Sequence, residues 1–296
     1  METGQGDHKK AAQTEERMGL VLEGGGMRGI YTAGVLDVLL RYGILFDGVI
    51  GVSAGAIHGC SFVSGQLGRG IRYYKKYCRD RRFMSFYNMI RTGDLVDEQF
   101  CYHELPEILD PYDYEAFNRS LTRYYVTCSN VETGCAEYLE ITDMKKQVDL
   151  MRASASLPYV SRMVEWEGKK LLDGGCTDSI PIRAFMKMGY GRNVVVLTRP
   201  RSYVKEPERA VLAKLYYRKY PEFAKALGMR HKVYNNTTKL IRRLEEEGKA
   251  FVIAPGEALD IGRTCHDPEK IQEVYDIGEK DAIRCLGNLE VFLEKR

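Results

Sequence analysis

Twice before Phe62 the chain passes from a short apolar run, through a glycine-bearing turn, into a helical pattern, and that order leaves few folds open. Met18 to Leu22 is apolar and ends in Glu23 and three glycines. Ile30 to Tyr42 then places Val35, Leu36, Leu39 and Leu40 at helical spacing. Val49 to Val52 is a second short strand, and Ala54 to Phe62 is a helix of small residues. Strand, turn and helix in alternation predict a mostly parallel α/β sheet with helices on both faces.

Downstream, Arg123–Asn130 and Glu137–Ile141 read as strands around a turn at Thr133-Gly134, and Val148–Ser154 as a helix. Lys170–Leu172 is a strand ending in Asp173-Gly174-Gly175. Asn193–Thr198 has the continuous apolar character of a buried parallel strand. Residues 208–247 are helical in pattern, with breaks expected near Pro221 and Gly228. Phe251–Ala254 is a late strand, and Pro268–Glu294 a final helix. Residues 1–17 are polar and aperiodic, which predicts a disordered tail. The late strand interrupts the C-terminal helices, so residues 18–296 are expected to form one domain. Its motifs lie in 18–200, and 201–296 contributes helices and that strand.

Three glycine-flanked motifs carry chemistry. Gly51-Val52-Ser53-Ala54-Gly55 is a G-x-S-x-G between strand and helix. It is either an ordinary turn or an elbow that holds a serine hydroxyl above the sheet, at a helix N-terminus suited to a developing oxyanion. Gly24-Gly25-Gly26-Met27-Arg28-Gly29 fits G-x-G-x-x-G. A dinucleotide site would want an acid at the end of the next strand, where Ser53's motif stands instead, and a P-loop would need Gly-Lys-Ser/Thr. The other reading aims the N–H groups of Gly25, Gly26 and Ala54 at an oxyanion. Arg28 anchors the loop, meets an acidic substrate, or is simply solvated. Asp173-Gly174-Gly175, alone, is more often a turn than a catalytic acid.

Taken in this order, the three motifs resemble those of the patatin-like phospholipase family, as do Arg152–Pro158, Leu171–Gly175 and Ser179-Ile180-Pro181. The resemblance spans roughly residues 18 to 200. It implies a three-layer α/β fold with the serine on a nucleophile elbow, and hydrolysis of lipid carboxyl esters by a Ser–Asp dyad through an acyl-enzyme. Ser53 matches the nucleophile and Asp173 the base. Gly24, Gly25 and Gly26 match the oxyanion loop, completed by Ala54, with Arg28, Gly29, Gly51, Gly55, Gly174 and Gly175 in support. Glu23 stands where the family often has Asp, and Ser179 where Asn is usual. The alternatives are a carboxylesterase for soluble esters and a nucleotide-binding α/β protein without hydrolase activity.

A conventional Ser…Asp…His triad would need a histidine after Asp173, and His266 is its candidate. Arg69–Phe83 joins seven basic residues to four aromatics. It is either a lipid-facing surface or a solvated helix face over packed tyrosines. Tyr216, Tyr217, Tyr220 and Phe223 are expected to pack between helices. The eight cysteines show no metal-ligand spacing, so reduced thiols, no metal, no cofactor and calcium independence are expected. Cys176, near Asp173, is either a reactive thiol or a buried inert one. No secretory h-region or spanning apolar run is visible, which predicts a cytoplasmic protein, at most peripheral at a membrane. The net charge of +3 offers nothing for nucleic acid; the expected partner is a lipid or ester substrate.

Overall fold

All five residues of β1 (Met18–Leu22) are buried, but they serve two cores. Met18, Leu20 and Leu22 join one hydrophobic layer and Val21 the other, the period of two that a strand imposes. A strand covered on both faces has no polar side to show, hence its unbroken apolar sequence.

The protein is described by a computed structural model that covers residues 16–294 apart from 209 and 263. Of the expected N-terminal tail, all but Glu16 and Arg17 lies outside the described residues; Arg17 packs its guanidinium over the Tyr190 ring. After β1 come a 3-10 turn (Gly26–Arg28), α1 (Gly29–Arg41), β2 (Gly48–Val52), α2 (Ala54–Val63), α3 (Arg69–Tyr77) and α4 (Phe86–Thr92). A π-helix (Phe100–Leu109), α5 (Tyr114–Arg119), β3 (Arg123–Asn130), β4 (Ala136–Ile141) and α6 (Val148–Ala155) follow. β5 (Val164–Trp166), β6 (Lys169–Asp173), α7 (Ile182–Lys187), β7 (Arg192–Val196) and α8 (Ala210–Tyr216) come next. The last elements are α9 (Pro221–Glu246), β8 (Ala250–Ile253) and α10 (Pro268–Glu294).

The sheet order is β5-β6-β3-β2-β1-β7-β8, with β4 on β3. From β3 to β8 the strands are parallel; β4, β5 and β6 add antiparallel pairs at one end. α1, α2 and α10 cover the Leu20 face, and α7 and α9 the Val21 face. This is a three-layer α/β architecture. No described helix is long and apolar enough to cross a membrane.

Pro221 does open a new helix, at its first turn where a missing N–H does least harm. Gly228 does not break α9. A glycine inside a helix costs about 1 kcal/mol, and α9 offsets that by burying Phe223, Leu227, Tyr234, Ile241 and Leu244.

Candidate active site

Ser53 sits between the end of β2 and the first residue of α2 with φ +52° and ψ −122°. Such a backbone costs a non-glycine residue about 1–3 kcal/mol and persists only where the surroundings enforce it. The flanking glycines allow the bend. A Cβ on Gly55 would stand 2.6 Å from the Leu22 carbonyl oxygen, and one on Gly51 2.6 Å from the Ala56 backbone. Ser154 braces the turn from α6: its Oγ accepts the Ser53 N–H at 3.0 Å and donates to the Thr127 carbonyl at 2.8 Å.

Strand register brings Asp173 to the serine. Along β3, Thr127 lies opposite Val52, the residue before Ser53. The next residue, Cys128, lies opposite Asp173. One strand thus passes from a parallel partner to an antiparallel one at this point, and the C-terminal ends of β2 and β6 meet. Gly174 fits because a Cβ there would lie 2.2 Å from the Thr127 oxygen.

Both groups are nearly sequestered, with Ser53 7% and Asp173 4% exposed. The Asp173 N–H donates to Ser156 O at 2.8 Å, and its carboxylate accepts the Gly175 N–H at 2.7 Å. Burial raises the Asp173 pKa above the ordinary carboxylate value. Hydrogen bonding from the Ser53 hydroxyl, the positive charge of Arg230 and the Gly175 N–H oppose that rise without cancelling it. Arg230 reaches in from α9, donates to Gly175 O through Nε and pairs with Glu208 at 3.2 Å.

Among the described residues, the N–H groups of Gly25 and Gly26 hold no hydrogen bond, and that of Ala54 opens α2. Gly24 departs from its expected place among the donors, because its N–H is taken by Ser179 O at 3.3 Å. Ser179 also donates its hydroxyl to Gly175 O at 3.1 Å: its side chain, where the family usually has Asn, braces the Asp173 loop, while its backbone carbonyl ties that loop to the glycine loop. Below them Glu23 is buried, accepting from Thr198 N at 2.5 Å and Tyr234 OH at 2.8 Å. Burial raises its pKa. Arg28 lies close enough to feel the charges of Glu23 and Arg199, and burial lowers its pKa. Its Nε is buried and has no hydrogen-bond partner among the described residues. Burial and the nearby arginines pull Lys205 down to about 8.

From Ser53 and Ala54 a cavity of about 150 Å³ runs into the protein, walled by Ile57, Tyr74, Phe83, Tyr102, Leu105 and Met151 among others. Much of this wall comes from α3, the π-helix and the turns between them. The Arg69–Phe83 stretch therefore turns Tyr73, Tyr74 and Phe83 inward. Arg69 is itself buried against Asp110. In the second aromatic cluster Tyr217 and Phe223 are buried and Tyr216 is exposed.

His266 does not join the site: its Nδ1 lies on the Cys78 carbonyl beyond the end of α3. No histidine stands among the groups that act on Asp173. Burial, with the Asp173 charge beside it, pushes the Cys176 thiol up, which leaves it protonated and inert. The sequence had singled out neither Ser154 nor Arg230. Ser154 lay within a quoted block but without a role, and Arg230 is 55 residues from the carbonyl it holds.

A family model described as patatin-like phospholipase matches residues 20–186, and one described as a domain of unknown function (DUF6363) matches residues 220–294. An uncharacterized protein of Escherichia coli, YjjU, is 31% identical over 198 residues, covering 65% of this chain and 55% of its own. Lysophospholipase NTE1 of the yeast Meyerozyma guilliermondii is 29% identical over 182 residues, 60% of this chain. This chain thus spans about half of the bacterial relative, and 12% of the yeast one. Among solved structures, VipD from Legionella pneumophila superposes with a TM-score of 0.45 at 13% identity, covering 92% of this chain and 67% of its own. With more than half of its length matched by the family model, from β1 through most of α7, the chain belongs to the patatin-like phospholipase family.

Proposed function

We propose that this protein is a serine lipid acyl hydrolase of the phospholipase A or lysophospholipase type. One observation carries the reading: Ser53, on a bent elbow, faces a buried Asp173 at the inner mouth of an apolar cavity. The cavity takes the acyl chain and holds the ester carbonyl over Ser53. As Ser53 Oγ attacks, its proton passes to Asp173. Desolvation favours that transfer by making this carboxylate more basic than an exposed one. The N–H groups of Gly25, Gly26 and Ala54 receive the oxyanion, aided by the positive end of α2. Asp173 returns the proton to the departing alcohol, leaving an acyl-Ser53 ester. A water that gives its proton to Asp173 then attacks this ester, and the proton goes back to Ser53 as the acid departs.

Hydrolysis of a short p-nitrophenyl ester by wild type, Ser53→Ala and Asp173→Asn tests the proposal. Each substitution is expected to lower kcat by about 10³-fold or more with the circular dichroism unchanged. Substantial activity in Ser53→Ala would remove the nucleophile assignment. The carboxylesterase alternative uses the same dyad, and the depth of the apolar cavity argues against it. It would regain ground if long-chain lipid esters were hydrolysed no better than short soluble ones.

A further inference from the structure

We infer that α4 and α8 form an anionic-lipid docking face beside the wall of the acyl cavity. The inference rests on the hydrolase reading above and adds the surface through which a lipid reaches the site.

The two short helices are far apart in sequence but flank one segment, residues 157–162. On one side Leu95 N–H donates to Val160 O, and the Arg162 N–H donates to Asp94 Oδ1 at 2.7 Å. On the other, the Tyr159 ring packs against Tyr216 and Tyr217, and its N–H donates to the Tyr217 hydroxyl at 3.1 Å. Between those contacts Leu157 and Ser161 line the cavity, as do Met84, Leu95 and Val96 on either side of α4. The segment between the helices is thus part of the cavity wall.

Their outward faces are apolar. α4 exposes Phe86, Tyr87 and Ile90, the last 83% accessible. α8 exposes Val211 at 78%, Leu215 at 71%, and Leu212 and Tyr216 besides, while burying Ala213 and, one turn on, Tyr217. Scattered exposed apolar residues are ordinary; seven on two helices beside one segment of the cavity wall mark an interaction surface.

Charge selects the occupant. Residues 81–92 contain Arg81, Arg82 and Arg91 and no acid; residues 210–219 contain Lys214, Arg218 and Lys219 and no acid. Lys214, Arg218 and Lys219 make no ion pair among the described residues. Arg82 and Arg91 are paired, with Asp80 and Glu104 and with Asp97, so the unopposed charge lies mainly along α8. Apolar side chains fringed by such cations suit a bilayer interface carrying anionic headgroups. Arg69–Phe83, the basic aromatic stretch of α3, is less suited because its aromatics face the core.

Co-sedimentation with phosphatidylcholine vesicles, with and without phosphatidylglycerol, tests this on the full chain. The variants are Phe86→Ser with Ile90→Ser, Val211→Ser with Leu215→Ser, and Lys214→Glu with Arg218→Glu. Wild type is expected to prefer the anionic vesicles and to lose binding as salt rises. Each double variant should weaken that binding about tenfold or more while soluble-ester hydrolysis stays at the wild-type rate. Unaltered vesicle binding in the two serine variants would overturn the inference. So would light scattering in which these variants turn a dimer into monomers while vesicle binding is unchanged, since the patch would then join two copies. Vesicle binding lost in the variants of a wild type that hydrolyses no ester would uphold the docking face and sink the hydrolase reading alone.

Discussion

Arg230 bears on the electrostatics of Asp173 from its place on the Gly175 carbonyl. Its charge lowers the Asp173 pKa, against the burial that raises it. Arg230→Gln removes the charge, so the Asp173 pKa rises further and the acid limb of kcat/KM, where the base must be ionised, shifts to higher pH. Arg230→Lys keeps the charge and should leave the limb nearer its wild-type position, although kcat falls in both as the Gly175 loop loses its anchor. A limb that stays put in Arg230→Gln while kcat falls would make the residue purely structural. His58 behaves differently. It is fully buried on α2, neither ring nitrogen has a hydrogen-bond partner among the described residues, and burial together with Arg69 pushes its pKa down to about 3. The unfolded chain takes up a proton near 6.5 that the folded chain refuses. Its contribution is therefore whole above pH 6.5 and lost as pH falls toward 3, on the order of 3–5 kcal/mol at the bottom of that window. His58→Leu should flatten this part of the acid loss in urea titrations run across the window. A difference between variant and wild type that does not change with pH would refute it.

At the scale of elements, the site was legible where its code is local. β1, β2, α2 and β6 announce themselves through continuous apolar runs and glycines, because a strand buried on both faces and a tight turn each restrict their own residues. The cavity wall was not legible. α3, the π-helix and the turns on either side of α4 lie in a stretch of tyrosines, arginines and scattered leucines, whose inward face is set by the core they close upon. The same sequence, Arg69–Phe83, also admitted a lipid-facing surface beside the reading of a solvated helix face over packed tyrosines. Gly228 misled in the opposite direction, since a local breaker lost to the burial along α9. Because α2 follows directly on Ser53 and supplies part of the wall, its side chains should control acyl length. Ile57 lines the cavity one turn beyond Ser53. Ile57→Phe is expected to reduce kcat/KM for long-chain p-nitrophenyl esters about tenfold while sparing the butyrate. Equal losses on both esters would mean that the chain runs elsewhere.

For the molecule as a whole, residues 220–294 match a different family model from the rest, yet their elements are distributed through one sheet and both of its covering layers. β8 extends the sheet from β7, α9 packs on one face and brings Arg230 to the site, and α10 lies on α1 across the other. The α1–α10 contact is backbone-close. A Cβ on Gly278 would lie 2.1 Å from Tyr31 O, and one on Gly34 2.2 Å from Tyr275 O. Two hydrogen bonds cross the same seam, Tyr31 to Asp281 at 3.1 Å and Tyr275 to Asp37 at 2.6 Å. Gly278→Val forces the helices apart and should cost about 3 kcal/mol. The chain's one tryptophan, Trp166, reports from β5, at the opposite end of the sheet from β8. If the two matched regions fold as a single unit, Trp166 fluorescence and far-ultraviolet dichroism should lose structure at the same urea concentration in wild type. Both should shift together, to lower urea, in Gly278→Val. A variant whose dichroism shifts while Trp166 keeps its wild-type midpoint would show that α10 and β8 come away by themselves. Arg230 would then reach Asp173 from a separately folding part, and stability of the C-terminal region would set activity without setting that of the sheet.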